Sequence, residues 1–286
     1  MAHKPDMMRH CSLFLLLLWA APAVMAQSAM ASEADHAVQL RQLDAAIREG
    51  RLTQAQQMLG ALTDAPSAVY ADDVALLQAE YAIARSEVEH AGLALAQIQN
   101  PDRNMCRVHA AKGWVAANQR AFDDAIIALA TATENCPEDA GILNLLGLAF
   151  MGKGETMAAR EAFNQAILHV PGNAQILNNH ALATLQTGAT EQALSELNAA
   201  IALGQKNPTI LANRNFVAGM AGQMPVRVKD ETDAEWGARL VSFAKGAKAA
   251  SRRLQATALF SRALLTLEYF DEDVWSEAIA AKKDVH

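Results

Sequence analysis

The chain has 286 residues, of which 52% are hydrophobic and 5% aromatic, and its net charge is −7. That length allows a sizeable core, and abundant alanine with modest glycine favours helix. An acidic balance with no basic patch or arginine cluster argues against nucleic acid as a partner.

Residues 1–26 have the organisation of a secretory signal peptide. Lys4 and Arg9 form a positive leading region, and Leu13 to Val24 is an apolar run too short to span a bilayer. Val24-Met25-Ala26 offers small residues at a cleavage site, with Ala29-Met30-Ala31 as a second candidate. Cys11 precedes the apolar run and has no lipobox before it, so lipid attachment there is not expected. The mature protein is therefore expected in the periplasm or outside the cell, and Cys106 and Cys136 are its remaining cysteines.

From Ser32 to Leu62 the spacing of Val38, Leu40, Leu43 and Ile47, then Ala55, Leu59 and Leu62, predicts a helical hairpin broken at Gly50. Asp72 to Met105 gives a second, with Ala79, Ala82, Ala91, Leu95 and Ile98 at matching offsets. The stretch Cys106 to Asn207 then repeats itself at a period of 34. Gly113, Gly147 and Ala181 fall in register; so do Ala125, Ala159 and Ala193, then Leu129, Phe163 and Leu197, then Ala132, Ala166 and Ala200. Pro137 and Pro171 follow, with Gln205 in the third copy. Small residues at fixed offsets let two helices approach closely, and proline ends the second helix because it cannot continue the ladder. Period-34 self-similarity of this kind marks a helix-turn-helix solenoid.

These residues resemble the tetratricopeptide repeat. The best-matching copy runs from Ala140 to Asn173, with Leu143, Leu146, Gly147 and Phe150, then Ala159, Phe163, Ala166 and Pro171. Lys112 and His180 replace the leucine of Leu146 in the flanking copies. The resemblance implies an all-α, right-handed superhelical solenoid of about five antiparallel helix pairs over residues 32–224. Pro208 opens a fifth first helix, and Gly222 sits where Gly154 and Gly188 sit. After that the pattern fails. Met224 to Lys229 reads as an extended linker, Thr232 and Glu235 as a capping box, and Trp236, Leu240, Phe243, Ala244 and Ala247 as one helix face. Residues 225–286 are expected to be a helical cap on the open end of the solenoid, or alternatively an autonomous binding module.

No catalytic motif is present: no phosphate loop, no H-E-x-x-H and no G-x-S-x-G. No metal-spaced histidine or cysteine set appears, so no cofactor, metal or small-molecule substrate is expected. The family resemblance instead directs attention to a concave groove lined by the first helix of each pair. It assigns Arg107, Trp114 and Asn118 to that groove, then Asn144, Leu148 and Met151, then Gln175, Asn178, Asn179, Leu182 and Gln186, then Asn213 and Phe216. Trp114, Leu148, Leu182 and Phe216 form an apolar column spaced by 34, with asparagines beside it. An amide carries both donor and acceptor, so these asparagines are expected to pair with a bound peptide backbone. Glu196, on a second helix, is expected to lie apart from the groove and to tolerate replacement. Cys106 and Cys136 begin a first helix and end a second, ends that lie side by side in a hairpin, so a disulfide between them is expected.

The stretch from Ala140 to Pro225 further resembles TadD-type proteins of the Flp/Tad pilus machinery, through Asn178-Asn179 with Ala181-Leu182-Ala183 and through Ala212 to Gly219. That resemblance implies an exported scaffold or adaptor whose partner is a protein or peptide of the cell envelope, in pilus or secretion-apparatus assembly, with membrane association only through partners. The alternative is a regulatory subunit of an envelope enzyme, or an enzyme whose activity lies in residues 225–286.

Overall fold

The computed structural model describes residues 33, 35–64, 68–204, 207–227 and 229–250, together with Ala256, Leu259 and Ala263. The expected signal peptide, and most of the expected cap beyond residue 250, lie outside these residues. The described chain is all-helical, with twelve α-helices and no strand among the described residues. It divides into two compact units, residues 1–115 and 116–286.

The first unit contains α1 (residues 35–48), α2 (Leu52–Asp64), α3 (Ala71–Ala84), α4 (Val88–Leu95) and most of α5 (Met105–Asn118). Leu43 and Ala46 of α1 pack on Ala55, Leu59 and Leu62 of α2, as their spacing predicts. Ala79 and Ala82 of α3 pack with Ala91 and Leu95 of α4 and with Ala111 and Val115 of α5. The connection after α4 is tied back to the first turn of α3. Asp72 accepts the backbone N–H groups of Gln99 and Asn100, both at 2.9 Å. A carboxylate bound by two backbone donors fixes an otherwise unsatisfied loop.

The second unit contains α6 (Phe122–Asn135), α7 (Ala140–Lys153), α8 (Thr156–His169), α9 (Ala174–Gln186), α10 (Thr190–Ala202), α11 (Pro208–Met220) and α12 (Asp233–Ala249). Each helix from α6 to α12 packs on the next. The period-34 positions are the centre of this stack. Ala125, Ala159, Ala193, Leu129, Phe163, Leu197, Ala132, Ala166 and Ala200 are all completely buried. A Cβ added to Gly147 would sit 2.5 Å from the Phe163 ring, so the glycine is what lets that ring lie flat against α7. Burying a phenylalanine completely contributes about 1.5–3 kcal/mol.

Two further repeating devices hold the hairpins. Asp139, Asn173 and Asn207, again 34 apart, cap α7, α9 and α11; each side chain accepts two backbone N–H groups of the first helical turn. The inter-helix turns place one residue in the left-handed region: Arg120, Gly154, Gly188 and Gly222 in this unit, and Ser86 at the same offset in the first. Arg120 and Ser86 are strained there, and the register of the repeats outweighs that strain.

The hairpin begun by α11, the sixth in chain order where about five were expected, is completed by α12. After Gly222 the chain runs without helix until Thr232, whose hydroxyl and Glu235 make the anticipated capping box. α12 then packs on α11 through two matching Phe-x-x-Gly segments. A Cβ on Gly219 would overlap the carbonyl oxygen of Phe243, and one on Gly246 would overlap that of Phe216. The backbones therefore touch, an approach that only glycine permits. Trp236, Leu240, Phe243, Ala244 and Ala247 join the core of α9–α11, as do Ala256, Leu259 and Ala263. The start of the segment expected to be a cap is thus the second helix of the last pair.

Replacing Gly246 with alanine is expected to cost about 3 kcal/mol, because the clash is with backbone and no side chain can rotate away. Gly60, on α2 with open space around it, should gain a few tenths to 1 kcal/mol on the same change, from helix propensity. Urea unfolding of the two variants checks both signs.

Candidate interaction surface

In the first unit the groove residues assigned from sequence are tied to the fold. Arg107 donates its Nε to Glu80 at 2.8 Å and its Nη2 to Asp44 at 2.6 Å, with a second Nη2 contact to Glu80. Burial disfavours the charged guanidinium, but Glu80 and Asp44 outweigh it and hold the group above its ordinary pKa. The three residues come from α5, α3 and α1, so the triad binds the three first helices of this unit together. Trp114 is half-buried against the core of α3–α5.

In the second unit the asparagines do something the sequence reading did not foresee. Asn213 on α11 donates its amide to Asn178 on α9 at 2.9 Å. Asn178 donates to Asn179 at 3.1 Å, and Asn179 donates to Asn144 on α7 at 2.9 Å. The amides form one directional chain across α11, α9 and α7. Asn178 and Asn179 are 3% and 5% exposed, so their groups meet one another, and the peptide-pairing role expected of them is taken by this ladder. A hydrogen-bonded buried chain polarises its members and is costly to interrupt. It ties successive first helices to one another, adding to the register that the close packing of small residues imposes.

The ladder leaves part of the expected surface open. Leu148 on α7 is 39% exposed, and Leu182, at the equivalent position of α9, is half-buried. Gln175 is exposed, and with Asn144 it lines an open cleft of about 400 Å³ between the starts of α7 and α9. Met151 is half-buried in the α7–α8 core, and Gln186 accepts a hydrogen bond from Thr156 at 3.1 Å. Phe216 is half-buried against the α9–α12 core. Asn118, at the end of α5, is exposed.

Glu196 is a correction. It was expected to be inconsequential, yet its carboxylate lies 3.0 Å from Nδ1 of buried His180. Burial alone would raise the pKa of Glu196; contact with His180 and the Gln192 amide outweighs it and holds the carboxyl below its ordinary value. His180 thus brings a polar link to the repeat position that Leu146 occupies in the preceding copy.

Both Cys106 and Cys136 are disulfide-bonded. Among the described residues no cluster of three or more potential ligands could hold a metal ion, and no helix is long and apolar enough to cross a membrane.

No protein-family model matches the chain, and no curated protein matches it. Solved structures do. A tetratricopeptide repeat protein from Parabacteroides merdae matches at 13% identity with a TM-score of 0.53, over 85% of this chain and 97% of that one. PilF from Pseudomonas aeruginosa matches at 15% identity and a TM-score of 0.53, over 86% and 96%. The apo form of the quorum sensor NprR from B. thuringiensis matches at 13% identity and a TM-score of 0.58, over 88% and 72%. At these identities the likeness concerns the fold, and the fold is the tetratricopeptide-repeat fold.

Asn178→Ala removes the middle of the ladder and leaves the buried oxygen of Asn179 without its donor. It is expected to lower stability by about 1–3 kcal/mol, with the denaturant slope unchanged. Asn213→Ala, at the end of the chain of amides, should cost less.

Proposed function

We propose that this protein is an exported scaffold that binds a protein segment along the inner face of its first helices. The observation that carries this reading is the face shared by α7 and α9. An internal amide ladder holds the helices in register there, while Leu148 is exposed, Leu182 is half-exposed and Gln175 is open on a cleft. A rigid helical face that offers apolar positions at a fixed repeat suits an extended or helical peptide, whose side chains recur at comparable spacing. Few residues dominate such interfaces, and they are apolar anchors more often than rim charges.

The setting follows from the sequence. The organisation of residues 1–26 supports export, and the resemblance to TadD-type proteins over Ala140 to Pro225 supports a role in pilus or secretion-apparatus assembly. In that reading the partner is an envelope protein, and the scaffold reaches the membrane only through it. A disulfide between Cys106 and Cys136 fits the same compartment and would stabilise the fold by about 3–4 kcal/mol on the chain-entropy view.

Leu148→Asp and Leu182→Asp are each expected to reduce capture of envelope partners at least about tenfold while helical content is retained. Leu168→Asp, on the second helix α8 at a position 80% exposed, should change nothing. These positions are cleaner probes than Trp114, Asn178 or Phe216, which are built into the cores. Undiminished capture by both inner-face variants would remove the inner face from consideration and direct attention to residues 225–286.

The compartment has its own check. Protein recovered from the periplasm, denatured without reductant and free of residues 1–26, should show no titratable thiol. Two free thiols would rule out the bridge.

A further inference from the structure

One position of the repeat is occupied differently in each copy: Lys112, Leu146, His180 and Arg214, each 34 residues after the last. In the best-matching repeat the slot holds leucine, and in the next the Glu196 carboxylate lies 3.0 Å from Nδ1 of His180. Arg214 has no such partner. Its Nε donates to the amide oxygen of Asn198 at 3.1 Å and its Nη1 to that of Asn215 at 3.3 Å. Both acceptors are neutral. Among the described residues no carboxylate pairs with Arg214, although a guanidinium offers five donors.

Arg214 lines a cleft of about 1010 Å³ in the second unit, bounded by α10, α11, α12 and residues 229–231. Its apolar wall is Ile201, Leu211 and Ala238. Two of the three carboxylates that also line this cleft are already engaged. Glu231 pairs with Arg239 at 2.7 Å, with its side chain 6% exposed. Glu235 accepts the backbone N–H and hydroxyl of Thr232 in the capping box. Asp230, the third, is exposed on the turn before Thr232. Burial and the neighbouring Arg239 both push the pKa of Arg214 below its ordinary value, which is the response of a cation placed where an anion would be welcome.

We infer that this cleft is a second binding site, distinct from the inner face, for an extended peptide segment that presents an acidic side chain to Arg214 and an adjacent apolar side chain to Leu211 and Ile201. A half-buried guanidinium with donors to spare matches a carboxylate in charge and in fork geometry. The volume is at the upper end for small ligands and admits several residues of a peptide. Arg214 follows Asn213 directly, and one residue along a helix is a rotation of about 100°, so the cleft and the amide ladder occupy different sides of α11. Neither depends on the other.

The test is selection from a library of random octapeptides displayed within a loop, so that no free C-terminus is offered, with the Arg214→Leu variant used for counter-selection. Leucine is the slot's own residue in the Ala140 repeat, so this variant is expected to fold. Selected sequences should carry Asp or Glu beside Leu, Ile, Val or Phe. Their synthetic forms should lose at least about tenfold in affinity when Glu becomes Gln. Leu211→Asp, at a position 42% exposed, should abolish binding by repulsion, while Leu182→Asp should leave it unchanged. Selection that yields no peptide dependent on Arg214 would overturn the proposal, as would peptides indifferent to the Glu→Gln change. If the Gln peptides regained affinity only with a free C-terminal carboxylate, the side-chain assignment would be overturned. Loss of binding in Leu182→Asp would place the peptide on the inner face instead.

Discussion

Close packing of small residues against large ones is the constraint on which this molecule depends. Ala125, Ala159 and Ala193 admit the approach of a neighbouring helix, and Leu129, Phe163 and Leu197 fill the space one turn on. Packing of this kind tolerates no slippage, because moving one helix by a turn would put an alanine where a ring is needed and a ring where no room exists. The α11–α12 contact is its extreme form, with glycine set against a carbonyl oxygen on both helices.

The polar groups then do two different kinds of work. Capping by Asp139, Asn173 and Asn207 satisfies helix starts and fixes where each hairpin begins. The amide ladder from Asn213 to Asn144 and the triad of Arg107, Glu80 and Asp44 tie first helices to one another within their own units. A binding face must be rigid to be selective, since every rotamer or helix frozen on binding costs free energy. By holding the first helices in place beforehand, the ladder leaves Leu148 and Leu182 presented at a fixed distance.

The repeat itself was legible from residue types alone, because the 34-residue period writes the core directly into the sequence. The alanine, leucine and phenylalanine positions singled out in that way, at 125, 129, 132 and their repeats, proved to be fully buried. The left-handed residues Arg120 and Ser86 were not legible, since neither is a residue that advertises such a conformation; only the offset from Gly154 gives them away. The ladder escaped notice because an asparagine on a helix face reads identically whether it meets solvent, a ligand or another asparagine 35 positions along. The link between His180 and Glu196 crosses from one helix of a hairpin to the other, and sequence spacing carries no charge-pairing signal at that range. α12 was recognised as a helix, yet its place as the partner of α11 was hidden by the long connection after Gly222. The two Phe-x-x-Gly segments are the feature that could have disclosed it.

The central claim is that the inner face of α7 and α9, braced by the ladder, is where a protein segment binds. Hydrogen–deuterium exchange of the oxidised protein, with and without a captured protein partner, tests it most directly. The account predicts added protection in peptides covering residues 140–153 and 174–186, with little change in the outer helices at 156–169 and 190–202. Protection confined to the outer helices or to residues 225–286 would contradict it.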